Sequence, residues 1–285
     1  MKYKLLAIDL DGTLLNSHKE IEPETIAAIQ EFRNKGGKVV ICSGRTPLST
    51  KWIAETVGLK EPIIAYNGAI IMDENGTIQQ VQSFQQKDLE VFMNLISEQQ
   101  IYAQFYEGDT LLIPIKNDWN KNWIENNIPS LSETGGNLTR CEIYRKNCQI
   151  KLVENLLEYL QKNTPAISKI AVFHGEDNLE NFTEIVREQC YGMEISTSLN
   201  YKNLEITPIN ITKAFSLTAL AKQLNIPLFE VAAIGDNYND MQMLKVAGLG
   251  IAMGNAPKEV QLSADKVTET NDNNGNAKAI HQFIF

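Results

Sequence analysis

An α/β protein, with a Rossmann-like doubly wound parallel sheet as its core and a second α/β domain inserted into it, is predicted by three features of the 285-residue sequence. Short, wholly apolar runs alternate with amphipathic stretches over the first 68 residues, the same alternation returns towards the C-terminus, and the segment between follows a different pattern. Strands without a polar face need cover on both sides, which is the situation of a parallel sheet with crossover helices.

The first strand is read in "KLLAIDL" and the first helix in "PETIAAIQEFRNKG", with Pro23 at its start and Gly36 at its end. "KVVICSG" gives a second strand, "PLSTKWIAETVG" a helix and "PIIAYNG" a third strand, so the opening is βαβαβ. Asn75-Gly76 within "AIIMDENGTIQQV" is a hairpin signal. Beyond it, alternating strands such as "IYAQFY" and "ISKIAVFHG" mix with helices and with a polar stretch, "NNIPSLSETGGNLT", which reads as an α/β insertion with a partly antiparallel sheet. The parallel pattern resumes with a helix near "TKAFSLTALAKQLNI", a strand "VAAIGD", a helix "YNDMQMLKVAG", a strand "LGIAMGN" and a last helix "NAKAIHQFIF". One domain is thus expected from residues 1–83 and 199–285, with 84–198 inserted between them.

Composition narrows the function. The chain is 43% hydrophobic and 21% charged, as a folded globular protein is, and its formal charge of -9 disfavours nucleic acid and anionic membrane surfaces as partners. No apolar run approaches a membrane span, and the run before Asp9 is too short for a signal peptide, so a cytoplasmic protein is expected. Cys42, Cys141, Cys148 and Cys190 are widely spaced and are read as reduced thiols; His18, His174 and His281 show no metal-ligand spacing.

In an open parallel sheet, ligands bind beyond the carboxyl ends of the strands, where strand order reverses. Four polar clusters fall at such ends: Asp9 with Asp11, Ser43 with Gly44, Asn67 with Gly68, and Asp236 through Asp240. Residues i and i+2 of extended chain face the same way, so the carboxylates of Asp9 and Asp11 are expected in one small volume. Two like charges there call for a cation or a shared proton, and both suit phosphoryl transfer. Asp9 and Asp236 can hold Mg²⁺, an ionised Asp9 can attack phosphorus, and Asp11 can carry the proton. A calcium loop is excluded because the residue at its sixth position is Leu14, not glycine.

"DLDGT", "ICSGR", Lys213 ahead of a helix and "GDNYND", in that order, resemble the motifs of the haloacid dehalogenase-like phosphatases, and "YNGA", "AMGNAPKEV" and "TETNDNNGNA" are similar to the Cof-type sugar-phosphatases. The resemblance implies Asp9 as nucleophile, Asp11 as general acid/base with its main-chain carbonyl also on Mg²⁺, and Asp236 as a further metal ligand. It implies phosphate contacts from Leu10, Ser43, Gly44, Lys213 and Asn239, with Asp240 supporting the site, and Arg45 and Asn67 as further candidates. It also implies that the insertion is a cap that closes over the core and selects the leaving group, with Tyr102, Phe105, Tyr106, Trp119 and Trp123 as candidate contacts unless they are core. The expected substrate is a small phosphate monoester, a sugar phosphate first, and the expected state a monomer or weak homodimer. A phosphosugar mutase and a non-catalytic phosphometabolite sensor are the alternatives. The chain departs from the subgroup at Asn210 and Ala214, where glycine is common; Asn tolerates positive φ, and Ala needs an ordinary helical conformation.

Overall fold

Leu5–Ile8, four apolar residues without solvent exposure, form strand β1, and the computed structural model places it at the middle of an eight-stranded sheet. The structure describes residues 1–124, 138–174, 179–197 and 201–285. From β1 the chain runs through helix Pro23–Asn34 to β2 (Lys38–Cys42), then through helix Pro47–Thr56 to β3 (Ile63–Ala65). Both helices start on proline, and Thr46 caps the second by accepting the Ser49 N–H at 3.3 Å. The chain then turns back: β4 (Ile70–Met72) runs antiparallel to β3, and a turn with Gly76 at φ +81° leads into β5 (Ile78–Val81).

A second sheet follows. After helix Gln86–Glu98 come β6 (Tyr102–Glu107), β7 (Thr110–Ile113), helix Leu138–Asn147, β8 (Gln149–Leu152), helix Leu156–Asn163, β9 (Lys169–Phe173), helix Glu180–Gln189, β10 (Met193–Thr197) and β11 (Asn203–Pro208). The order is β10-β11-β9-β6-β7-β8, and only the β7–β8 pair is parallel. Alternation sorts its two faces: Ala103, Phe105, Ile170, Val172, Leu204 and Ile206 join a buried cluster with Phe92 and Phe182 from the helices. Of the expected cap aromatics, Phe105, Tyr106 and Trp123 are buried, whereas Trp119 is 42% exposed and stacks on Tyr102 with centroids 5.2 Å apart. The polar stretch expected at 126–139 lies, up to residue 137, outside the described residues.

The chain then completes the first sheet through helix Lys213–Gln223, β12 (Val231–Gly235), helix Met241–Val246, β13 (Leu249–Ala252), helix Lys258–Ser263, β14 (Lys266–Val267) and helix Gly275–Ala279. Its order is β14-β13-β12-β1-β2-β3-β4-β5, parallel from β14 to β3. Leu5, Ala7, Val40, Cys42 and Ile64 pack one face with Leu217, Leu220, Met243 and Leu244 of the helices, while Leu6, Ile8, Val39 and Ile41 of the other face are equally buried. Burial on both faces, at about 1.5–3 kcal/mol for each large aliphatic side chain, is what removes polar residues from these strands.

The described chain divides into two compact units at residues 79/80 and 211/212, against the expected 83/84 and 198/199. The second difference has a direct cause: Asn203–Pro208 hydrogen-bonds between β10 and β9, so it belongs to the inserted sheet. Cys42, Cys148 and Cys190 are buried free thiols. Among the described residues no helix is long and apolar enough to cross a membrane.

Candidate active site

Strand order reverses at β1, whose neighbours are β2 on one side and β12 on the other. Asp9 directly follows β1 and its N–H donates to the Ile234 carbonyl at 3.0 Å, while Asp236 directly follows β12. The parallel register therefore delivers both carboxylates to one end of the sheet. Gly12 makes the approach possible, since it sits at φ +80° and a Cβ there would overlap the Asp236 carboxylate.

Lys213 joins the acids. Its buried ammonium donates to Asp9 Oδ1 at 2.5 Å and to Asp240 Oδ1 at 2.7 Å. The second Asp240 oxygen accepts the N–H groups of Asp236 and Asn237, each at 3.0 Å. Asp240 is thus a strut, holding the loop after β12 and the lysine together.

Three carboxylates, Asp9, Asp236 and Asp240, have donor atoms within 4.8 Å of one another, and Lys213 pairs with two of them, Asp9 and Asp240. Burial raises the Asp9 carboxyl well above its ordinary range; Asp240 and Asp236 push the same way and Lys213 opposes them. Asp236 is pushed up to about 6, first by burial and then by Asp240. Burial alone would lower the Lys213 ammonium, but its two carboxylate partners outweigh it and keep the lysine charged. An excess of buried negative charge on hard oxygen donors fits a divalent cation such as Mg²⁺. Because Asp240 already satisfies a lysine and two amides, Asp9 and Asp236 are the side chains left to hold one.

The Asp11 carboxylate is outside this cluster, in contrast to the expected pairing with Asp9. Arg45 grips it through two bonds, Nε to Oδ2 and Nη2 to Oδ1, both 2.6 Å, and Lys19 adds a third at 2.8 Å. Burial opposes the charge, yet the hydrogen bonds and charge of Arg45, with help from Lys19, hold the carboxyl well below the usual range. The i, i+2 rule fixes where the two Cα–Cβ bonds point; it does not say which cations each carboxylate meets.

The remaining predicted residues line the neighbouring loops. Ser43 is buried and its Oγ accepts the Arg45 N–H at 3.1 Å, while Gly44 lies between β2 and the Thr46 cap. The Leu10 carbonyl accepts from Thr13 and Leu15 as the chain turns away from β1. Asn239 Nδ2 donates to Asn67 Oδ1 at 3.0 Å. Tyr66, Asn67 and Gly68 all have positive φ, and a non-glycine residue held there costs on the order of 1–3 kcal/mol. Asn210 has φ 63°, and Ala214 is an ordinary helical residue directly after Lys213.

Several contacts were not foreseen. Thr13 Oγ1 donates to Asp236 Oδ1 at 2.8 Å, and Lys19 meets Asp11. Three asparagines use their amide hydrogens to pin carbonyls of the loop after β1: Asn255 on Gly12 at 2.8 Å, Asn271 on Leu15 at 3.0 Å and Asn276 on Thr13 at 2.6 Å. All three asparagines lie in the segments "AMGNAPKEV" and "TETNDNNGNA", so the signal was in the sequence without a role attached.

A family model described as haloacid dehalogenase-like hydrolase matches residues 6–280. The chain is 30% identical to phosphatase YwpJ of Bacillus subtilis, over 99% of this chain and all of that protein. It is also 30% identical to the 5-amino-6-(5-phospho-D-ribitylamino)uracil phosphatase YcsE of the same organism, over 99% of this chain and 96% of the other. A solved haloacid dehalogenase-like hydrolase from B. subtilis superposes with a TM-score of 0.81 at 29% identity, covering 98% of this chain and 99% of that one.

Proposed function

This chain belongs to the haloacid dehalogenase-like hydrolases and is a phosphoric monoester hydrolase, and from that premise we propose that it removes phosphate from small sugar or polyol phosphates through an aspartyl-phosphate on Asp9. The observation that carries this reading is the Asp9 carboxylate itself, buried at the end of the central strand with one oxygen held by Lys213.

Asp9 attacks phosphorus and the ester oxygen departs with a proton from Asp11. Asp11, now a carboxylate, takes a proton from water, and the resulting hydroxide oxygen displaces phosphate from Asp9. Arg45 and Lys19 hold Asp11 in its ionised form, which suits the second step; the first requires that grip to loosen. Mg²⁺ held by Asp9 and Asp236, with the Asp11 carbonyl, would neutralise charge on the transferring phosphoryl group. Lys213, Ser43, Asn239 and the main chain at Leu10 and Gly44 are assigned to the phosphate oxygens, where donors favour the transition state. The insertion is assigned the cap role, choosing the leaving group. A polyol substrate is supported by the relative named for a phosphoribitylamino-uracil. The acidic charge and buried free thiols support a cytoplasmic protein, monomeric or weakly dimeric, acting on soluble metabolites.

The test is inorganic phosphate release from sugar and polyol phosphates, with and without Mg²⁺, by the intact protein and Asp9→Asn. Release that needs Mg²⁺ and disappears in the variant supports the reading. Transfer to a second sugar hydroxyl without free phosphate would make the protein a mutase, and binding without turnover would make it a sensor.

A further inference from the structure

Asn67 is buried in a turn where three consecutive residues, Tyr66, Asn67 and Gly68, hold φ values of 48°, 54° and 108°. Such a turn persists only where its surroundings over-determine it, and here bonds from separate loops do so. The Tyr66 N–H donates to the Arg45 carbonyl at 3.2 Å and the Asn67 N–H to the Ser43 carbonyl at 2.9 Å. Ser216 Oγ, one turn along the helix that Lys213 begins, donates to the Gly68 carbonyl at 2.5 Å. Gly68 has no room for a side chain, because a Cβ would overlap the Thr212 carbonyl. The turn therefore ties together the loops of Ser43, Lys213 and Asn239.

Its contact with Asn239 is chemically selective. A primary amide has a donor end and an acceptor end, and only the donor end attracts a phosphoryl oxygen. Asn67 Oδ1 accepts from Asn239 Nδ2 at 3.0 Å, which engages one amide hydrogen and fixes the direction of the other. The opposite end, Asn239 Oδ1, is buried without a hydrogen-bond partner among the described residues. Leaving a buried acceptor unpaired is unfavourable, so this orientation of Asn239 needs a restraint.

We infer that Asn67 is a positioning residue for phosphate binding: its side-chain oxygen holds the Asn239 amide with the NH₂ group poised for the phosphoryl oxygens. The inference rests on the phosphatase reading above and gives a task to the strained turn. Tyr66 and Gly68 supply the backbone path, and Asn67, a residue that tolerates positive φ, supplies the acceptor.

A double-mutant cycle tests it, read as the inhibition constant of inorganic phosphate against hydrolysis of a small aryl phosphate in Mg²⁺. Asn239→Ala should weaken phosphate roughly 10- to 150-fold, the range for a hydrogen bond to a charged group. Asn67→Gly, which keeps the left-handed backbone, should weaken it about 3- to 10-fold alone, a fraction of that bond. In the Asn239→Ala background the same change should then cost less than about twofold, because the coupled partner is already gone. Equal factors in both backgrounds, or no effect of Asn67→Gly alone, overturn the inference. Asn67→Ser completes the cycle if the glycine variant does not fold. Should the intact protein hydrolyse no ester, the phosphatase reading fails by itself, and the cycle is then read by calorimetry of inorganic phosphate binding.

Discussion

Replacing Asp236 by Asn should make the metal-free protein more stable at neutral pH. Burial and the neighbouring Asp240 raise the Asp236 carboxyl from 3.8 to about 6. A group whose folded pKa is raised supports folding fully below its unfolded pKa and loses that support as pH rises through the folded one. For Asp236 the window is thus about pH 4 to 6. Above it, a shift of about two pH units at about 1.4 kcal/mol each amounts to roughly 3 kcal/mol opposing folding. Asn has the same shape, offers an oxygen to the Thr13 hydroxyl that now bonds Asp236 Oδ1 at 2.8 Å, and carries no charge. Partial exposure of the side chain and its coupling to Asp9 reduce the expected gain to about 1–3 kcal/mol. At about 2–4 °C per kcal/mol the gain is readable as a rise in melting temperature. The assay is thermal unfolding in chelator at pH 7.5 and pH 5, then with Mg²⁺ at pH 7.5. The advantage of Asp236→Asn should fall by about half at pH 5, and Mg²⁺ should stabilise the parent but not the variant. A variant less stable than its parent at pH 7.5 in chelator, or an advantage independent of pH, refutes the repulsion on which this rests.

Lys213→Met should destabilise by about 3–5 kcal/mol in urea unfolding, because it leaves Asp9 and Asp240 buried without their cation. Gly68→Ala should cost more than about 1 kcal/mol from positive φ alone, with the overlap on Thr212 added, again by urea unfolding. Arg45→Gln should move the alkaline limb of the kcat/KM profile upwards, since that parameter reports the step in which Asp11 gives its proton, and loss of the Arg45 cation lets the carboxyl return towards the ordinary range; an unmoved limb would separate Asp11 from that ionisation.

The parallel core was legible because burial on both faces strips polar residues from strands, and "KLLAIDL", "KVVICSG" and "VAAIGD" carry that mark locally. Asp9 and Asp236 were legible for a similar reason, as a charge that ends a buried apolar run stands out. The partners of Asp11 were not: Arg45 is 34 positions away and Lys19 eight, and only the folded loops bring both to one carboxylate. Asn255, Asn271 and Asn276 read as turn formers, because asparagine in a loop gives the same signal whether its amide closes its own turn or pins a distant carbonyl. Asn67-Gly68 announced a turn, but positive φ at Tyr66 is imposed by tertiary hydrogen bonds and has no local signature. The strand Asn203–Pro208 was placed on the wrong side of the expected boundary because a strand's sequence does not name the sheet that it joins.

The central strand has a temporal consequence. Leu5 pairs with Val231, so one edge of β1 waits for residues made 226 positions later. At about 5–20 residues per second the ribosome needs roughly 11–45 s to supply them. Throughout that interval the βαβαβ segment can pair on its β2 side only, with an apolar edge open to other chains. The inserted sheet takes all its strands from residues 102–208 and can close during the wait. Chains that have exposed residue 208 but lack residue 231 should therefore hold a folded insertion together with an unfinished, aggregation-prone core, and the Asp9 environment is among the last parts of the molecule to exist.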